Sequence, residues 1–147
     1  MEIPFKRLTP DAVIPARGSD EAAGYDLYAA SIKNEEGVRI HPGEVFRIGT
    51  GLAMAIPNGY AGLILPRSGM STKRGLRPAN SPGLVDSDYR GEIIVSLRND
   101  SNQTQVVMNG ERIAQLMVVP YLVCDFIEED DLGTTRRGTG GFGSTGY

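Results

Sequence analysis

The stretch that decides the fold is "EVFRIGTGLAMAIPNGYAGLILP", residues 44–66. Two runs rich in apolar residues flank "PNGY", whose proline, asparagine and glycine favour a turn. Similar runs recur on both sides of this stretch: "EIPFKRL", "GYDLYAA", "EIIVSLRN", "TQVVM" and "RIAQLMVVPYLVCDFI". Turn signals separate the runs, and no long segment repeats its apolar residues every 3.6 positions. Many short strands at even spacing predict an all-β sandwich or a small barrel.

One short helix interrupts this β pattern, at "SGMSTKRG", residues 68–75. Ser68 is of the type that caps a helix N-terminus, and Gly75 is of the type that ends a helix. We therefore predict a helix that begins after Ser68 and stops at Gly75.

Composition limits the kind of protein. The chain has 147 residues, 40% of them hydrophobic and 22% charged, which is typical of one globular domain. No apolar run is long enough to span a membrane, and "MEIPFKRLTP" lacks an apolar signal core, so we expect no membrane partner. The single cysteine, Cys124, excludes an internal disulfide framework and suits a reducing compartment, which predicts a cytoplasmic location. One histidine and one cysteine make a poor zinc ligand set.

Charge is distributed unevenly along the chain. Fifteen basic and eighteen acidic residues give a net charge of −3, which argues against a nucleic-acid partner. Residues 66–77, "PRSGMSTKRGLR", nevertheless hold four basic residues and no acidic one, whereas "EEDD" at 128–131 is wholly acidic. A local cationic segment on an acidic protein predicts a small anionic ligand.

The first candidate site is "PRSGMSTK", residues 66–73, which follows an apolar strand. Arg67 and the backbone N–H groups of the following helix start suit the oxygens of a phosphate. A capped surface helix without a ligand explains this segment equally well.

A second candidate is "GLVDSDYRGEI", residues 83–93, which places Asp86 and Asp88 among apolar residues. Taken alone, it favours a hairpin turn. The preceding "RPANSPG" carries Pro78 and Pro82, which predicts an edge or bulged hairpin whose spare backbone groups are able to read the edge of a base.

Two apolar strands carry isolated polar side chains. Asp26 lies inside "AGYDLYAA", where an unpaired carboxylate is costly, so we expect it to be hydrogen-bonded or close to a cation. In "RIAQLMV", Arg112 and Gln115 are the long polar side chains.

The C-terminus reads "RGTGGFGSTG", Arg137 to Gly146, in which five of ten residues are glycine. We expect a β-barrel core over residues 1–127, followed by an acidic linker and a mobile arm over 128–147. A frayed terminus is the alternative for an arbitrary chain.

Together and in this order, the five motifs "AGYDLYAA", "PRSGMSTK", "GLVDSDYRGEI", "RIAQLMV" and "RGTGGFGSTG" resemble those of the trimeric dUTPases (dUTP pyrophosphatases). The resemblance spans residues 23–146. It implies a jelly-roll-like distorted β-barrel with one short helix and a flexible arm, assembled as a homotrimer with shared active sites. It further implies Mg²⁺-dependent hydrolysis of dUTP to dUMP and pyrophosphate by water attack on the α-phosphorus, which lowers dUTP and supplies dUMP for thymidylate synthesis.

The resemblance also implies a role for each matching residue. Asp86 matches the aspartate that activates the attacking water, and Asp88 ranks second. Tyr89 matches the aromatic residue that packs on the deoxyribose, and Asp26 matches the aspartate that orients magnesium-bound waters. Asn80 and the backbone of Gly83 and Val85 match the groups that pair with uracil. The residues that match the phosphate contacts and the closing arm are Arg67, Ser68, Gly69, Gln115, Arg137, Phe142, Gly143, Ser144 and Thr145.

Two rival readings stay open at this stage. One is an enzyme like the dCTP deaminases, which share strand patterns, although we find no equivalent of their catalytic glutamate strand. The other is a non-catalytic nucleotide-binding homologue. Pyrophosphate from dUTP, ammonia from dCTP, or neither product separates the three.

Overall fold

The fold is all-β with a single short helix, in a computed structural model that describes residues 1–141. In chain order the elements are β1 Phe5–Arg7, β2 Ala16–Arg17, β3 Tyr25–Tyr28, β4 Val38–Ile40, β5 Val45–Met54, β6 Tyr60–Leu65, α1 Ser68–Arg74, β7 Leu76–Pro78, β8 Gly83–Val85, β9 Glu92–Asn99, β10 Gln105–Val107 and β11 Arg112–Pro120. Within residues 1–141, no helix has the length and apolar character needed to cross a membrane.

The strands form two main antiparallel sheets. One has four strands in the order β1-β5-β9-β7, the other has five in the order β2-β3-β11-β6-β8, and β10 pairs with β4 in a separate ribbon. A core of aliphatic side chains from both sheets lies between them, and its largest fully buried members are Leu27, Ile40, Ile48, Leu52, Leu76, Ile93, Leu97 and Ile113. This architecture confirms the predicted jelly-roll-like β fold.

Alternation along β9 explains how the sequence selects the inner face. In "EIIVSLRN", Ile93, Val95 and Leu97 are buried, while Ile94 between them and Arg98 after them are exposed. A period of two is the strand signature, because successive side chains point to opposite faces. The exposed face of β9 is therefore free to contribute to a surface cleft.

The helix differs from the prediction at its first residue. Arg67 occupies the N-cap position with an extended backbone and no side-chain cap, and Ser68 is already helical. The hydroxyls of Ser71 and Thr72 instead bond back to the carbonyl oxygens of Arg67 and Ser68. The predicted end is confirmed, since Gly75 adopts a left-handed φ of 68° and donates its N–H to Ser71 O.

The two expected hairpins are instead crossings between sheets. β7 lies at the edge of the four-stranded sheet and β8 at the edge of the five-stranded sheet, so residues 76–85 pass from one to the other, and residues 86–91 return to β9. The edge placement expected from Pro78 and Pro82 is confirmed. Among residues 1–141 only β6 pairs with β8, which leaves the backbone along its other side without a strand partner.

The last strand is shorter than the run "RIAQLMVVPYLVCDFI" predicts. β11 ends at Pro120, which pairs with Tyr60, the first residue of β6, and the chain next to Tyr60 turns at Asn58 and Gly59. Tyr121 still donates its N–H to Gly59 O at 3.0 Å. From residue 122 to residue 139 every residue is exposed, including the apolar Leu122, Val123, Phe126, Ile127 and Leu132.

Candidate functional site

The first group of predicted site residues lies where β3, β11 and β6 run side by side. In the strand register, Gln115 pairs with Asp26 on one side and with Leu65 on the other. β6 then leads through Pro66 to Arg67 at the start of α1. We call this group the Asp26 cluster, and it comprises Asp26, Arg67, Ser68, Gly69, Arg112 and Gln115.

Asp26 is the electrostatic centre of the cluster. Arg67 Nε donates to Asp26 Oδ1 at 2.7 Å, and Arg112 Nη1 donates to Oδ2 at 3.3 Å. Asp26 is only 8% exposed, so the two arginines provide the charge partners that burial of a carboxylate requires. The sequence prediction of a partnered Asp26 is confirmed. Two guanidinium groups against one carboxylate leave the cluster cationic, which suits an anionic ligand.

Gln115 and the helix start complete the cluster. Gln115 Nε2 donates to Pro66 O at 2.9 Å, which fixes the amide against the end of β6. A side chain at Gly24 would meet Gln115 Oε1 at 2.7 Å, so Gly24 makes room for the amide. Ser68 and Gly69 are exposed in the first turn of α1, where backbone N–H groups have no helical acceptor.

The second group lines a cleft of about 180 Å³ beside β8, which we call the Tyr89 cleft. It contains all five residues that the sequence assigns to base, sugar and water: Asn80, Gly83, Val85, Asp86 and Tyr89. The remaining walls are Ile64, Leu84, Glu92, Ile93 and Ile94. A side chain at Gly83 would lie 3.3 Å from Asn80 Nδ2, so this glycine lets Asn80 approach the backbone of β8.

Asp86 lies where two clefts meet. It lines the Tyr89 cleft and also a larger neighbouring cleft of about 690 Å³, whose other walls include Asn58, Asp88 and Tyr121. Asp88 lines only the larger cleft. Asp86 alone of the two carboxylates therefore borders the cleft that holds Tyr89 and Asn80.

Asp26 and the Tyr89 cleft lie apart in one chain. β3 and β8 are separated by β11 and β6, which amounts to three strand spacings or about 14 Å. Within the part of the chain that the structure describes, no hydrogen bond or ion pair joins the two groups. The carboxylate of Asp26 and the Tyr89 cleft are thus two separate features of one chain.

In its described part, the arm makes no hydrogen bond to either group. Arg137 is exposed, and its Nε donates to Gly140 O at 2.8 Å within the arm itself. Phe142, Gly143, Ser144 and Thr145, which the sequence assigns to the closing arm, lie outside the described residues. The expected boundary between core and arm at residues 127 and 128 stays a prediction.

Sequence reasoning missed three residues that support the Tyr89 cleft, Glu92, Gly51 and Gly91. The Tyr89 hydroxyl donates to the carbonyl oxygen of Glu92 at 2.9 Å, and the Glu92 carboxylate accepts the N–H of Gly51 at 2.8 Å. A side chain at Gly91 would collide with the Tyr89 ring. The only sequence signal for these contacts is the glycine pair in "GTG", residues 49–51, which faces Glu92.

The known proteins that this chain resembles are dUTPases. The dUTPase family model matches residues 11–146. The chain is 48% identical to the deoxyuridine 5'-triphosphate nucleotidohydrolase of Nautilia profundicola over 146 residues, which covers 99% of each chain. It is 46% identical to the enzyme of the same name from Corynebacterium diphtheriae over 145 residues, 98% of this chain and 92% of that one. Among solved structures, a dUTPase of Staphylococcus bacteriophage 80alpha with dUpNHpp superposes with a TM-score of 0.84 at 29% identity and 99% coverage of both chains.

Proposed function

The chain belongs to the dUTPase family, and from that premise we propose that it is a dUTP diphosphatase that hydrolyses dUTP to dUMP and pyrophosphate. The observation that carries the proposal is the Tyr89 cleft, which gathers the candidate base, sugar and water-activating residues around one small space. The same reaction lowers dUTP and supplies dUMP for thymidylate synthesis. A cytoplasmic location suits the exposed thiol of Cys124.

The reaction begins with attack of a water molecule on the α-phosphorus. Asp86 accepts one proton from this water, which makes the oxygen a better nucleophile as its bond to phosphorus forms. The bond from the α-phosphorus to the bridging oxygen breaks, and pyrophosphate leaves with that oxygen. The position of Asp86 between two clefts supports this role. The nucleoside occupies the Tyr89 cleft in this proposal, and the attacking water approaches from the larger cleft.

Specificity for deoxyuridine arises in the Tyr89 cleft. One side of β8 has no strand partner within residues 1–141, and in this proposal Gly83 and Val85 offer backbone groups there to the edge of uracil, while Asn80 provides a side-chain amide. The buried walls Ile64 and Ile93 restrict the space available to the 5-methyl group of thymine. The Tyr89 ring packs against the sugar and excludes a ribose 2′-hydroxyl.

The Asp26 cluster binds the triphosphate and its magnesium ion. Arg67, the N–H groups of Ser68 and Gly69, and Gln115 supply donors, and Arg137 with Phe142, Gly143, Ser144 and Thr145 closes over the nucleotide. Both Asp26 oxygens already accept from arginines, so this carboxylate fits an outer-shell role, through water, better than direct ligation. Mg²⁺ keeps several waters and is commonly held through substrate phosphates, where it neutralises their charge.

The active enzyme is a homotrimer in this proposal. In one chain Asp26 on β3 lies three strand spacings, about 14 Å, from β8, and in this proposal a neighbouring copy completes each site. The exposed apolar side chains between residues 122 and 132 also call for a covering surface, since a monomer would leave Phe126 99% exposed and Leu132 92% exposed. A closed trimer places the Asp26 cluster of one chain against the Tyr89 cleft of a neighbouring chain.

Light scattering tests this assembly. We expect a particle containing three 15.8 kDa chains at the concentrations used for activity measurements. A monomeric mass together with full activity would contradict the shared site.

The function itself is tested by mixing the protein and Mg²⁺ with each deoxynucleoside triphosphate in turn. We expect pyrophosphate from dUTP alone. Ammonia from dCTP would instead indicate a deaminase, and neither product would indicate a nucleotide-binding protein without chemistry.

Tyr89→Ala is expected to weaken discrimination between dUTP and UTP, because loss of the ring opens space beside the sugar C2′. Tyr89 is 43% exposed, so the fold should survive the change. The measurement is the ratio of kcat/KM for the two nucleotides. Phe5→Ala is a matched control, since Phe5 is 44% exposed and lies on β1 at the far edge of the other sheet. An unchanged ratio in Tyr89→Ala rules out the ring as the sugar filter.

A further inference from the structure

Two contacts hold the Tyr89 ring in place. Its hydroxyl donates to the carbonyl oxygen of Glu92 at 2.9 Å, and its backbone N–H donates to Asp86 O at 3.2 Å. Glu92 is itself fixed, because its carboxylate accepts the N–H of Gly51 on β5. The ring is therefore anchored at the hydroxyl end to a rigid strand and at the backbone end to the turn that carries Asp86.

Gly91 sets the distance between the Tyr89 side chain and the backbone of the turn. A Cβ at this position would lie 2.6 Å from Tyr89 Cζ and 3.0 Å from Cε2. Ordinary contact begins near 3.4 Å, so the ring would have to move by about 0.8 Å to accept even an alanine. The Gly91 backbone does not require a left-handed φ, so close approach of the ring is the specific constraint at this position.

The direction of that movement follows from the lining of the cleft. Tyr89 lines the cleft and Gly91 does not, so a side chain at Gly91 acts on the nucleoside space through Tyr89. A side chain at Gly91 pushes the ring into a cleft of only about 180 Å³.

On the premise of the proposed function, we propose that Gly91 is a positioning residue that sets the width of the deoxyribose pocket through Tyr89. Its missing side chain lets the hydroxyl end of Tyr89 pack against the backbone of the turn, which leaves a cleft wide enough for a deoxyribose and too narrow for a 2′-hydroxyl. Gly91 acts only through Tyr89 and touches no substrate. Gly91→Ala therefore narrows the cleft, whereas Tyr89→Ala opens it.

The test is a double-mutant cycle read by binding of dUMP and UMP in calorimetry. Four proteins are compared: wild type, Gly91→Ala, Tyr89→Ala and the double variant. We expect Gly91→Ala to weaken dUMP binding roughly ten-fold, the lower end of the effect of one misplaced methylene-sized group in a pocket. The preference for dUMP over UMP should be kept in Gly91→Ala and weakened in Tyr89→Ala.

The Tyr89→Ala background decides the question. Without the ring there is nothing for the new methyl group to push, so the double variant should bind dUMP as Tyr89→Ala does. An equal loss in both backgrounds, or no loss in either, overturns the inference. Gly18→Ala is the matched control, because a Cβ there meets nothing within 4 Å.

Two further outcomes are decisive. If Gly91→Ala fails to fold, the inference requires the double variant to fold, and failure of both overturns it. Pyrophosphate release from dUTP by the wild type is measured in parallel. A wild type that binds dUMP and releases no pyrophosphate overturns the proposed function while the cycle still tests Gly91, and a wild type that binds no dUMP overturns both.

Discussion

Replacing Asp86 with asparagine is expected to lower turnover of dUTP by about 10²–10⁴-fold while nucleotide affinity stays close to that of the wild type. An amide has the shape of the carboxylate and cannot accept the proton of the attacking water. The side chain is exposed and has no hydrogen bond within residues 1–141, so the substitution leaves the turn around Tyr89 intact. The defect should therefore lie in the chemical step alone.

Single-turnover hydrolysis, with enzyme in excess over dUTP, measures that step without interference from product release. Asp88→Asn is the matched control, since Asp88 lies two residues away and borders only the larger cleft. We expect it to retain nearly full activity. A wild-type rate in Asp86→Asn with a large loss in Asp88→Asn would transfer the general base to Asp88.

Deleting residues 137–147 should leave a folded trimer with severely reduced catalysis. Its described part, residues 137–141, makes hydrogen bonds only within the arm and adds nothing to the core between the sheets. In the proposed closed state, Arg137 contributes a charge-assisted contact to phosphate of about 1.5–3 kcal/mol, and Phe142 stacks on uracil for about 1–3 kcal/mol. Ordering a glycine-rich backbone offsets part of this gain, so the net effect is smaller than the sum.

Melting temperature measured beside steady-state kinetics separates the two consequences of the deletion. We expect an unchanged melting temperature, a large fall in kcat and a smaller rise in KM, because closure excludes water other than the nucleophile. Phe142→Ala should give a milder form of the same defect, and deletion of Tyr147 alone serves as the control truncation. Full activity in the shortened chain would make the arm a frayed terminus.

The all-β fold was predictable because its evidence is local. Alternation in "EIIVSLRN" and turn residues in "PNGY" act over a few positions, and both produce the expected elements. The end of β11 was not predictable in this way. Apolar residues continue to Ile127, but the strand stops at Pro120, opposite Tyr60, and the chain next to Tyr60 turns at Asn58 and Gly59.

The same difference between local and long-range evidence applies to the candidate site. A partner for Asp26 was predictable from the cost of burying a carboxylate, whereas the choice of Arg67 and Arg112 depends on how β3, β6 and β11 align. Gly91 was missed because its constraint is a clash with a ring two residues earlier. Such a contact depends on the path of the turn, which residue types alone do not specify.

The separation of the Asp26 cluster from the Tyr89 cleft has a genetic consequence in the proposed trimer. Chains damaged at Arg67 and chains damaged at Asp86 would each be inactive alone, yet a mixed trimer contains sites that take the intact half from each. With random mixing of equal amounts, about a quarter of all sites would be whole. Two defective alleles would then complement one another in the same cell, whereas a single allele carrying both defects would not be rescued by either.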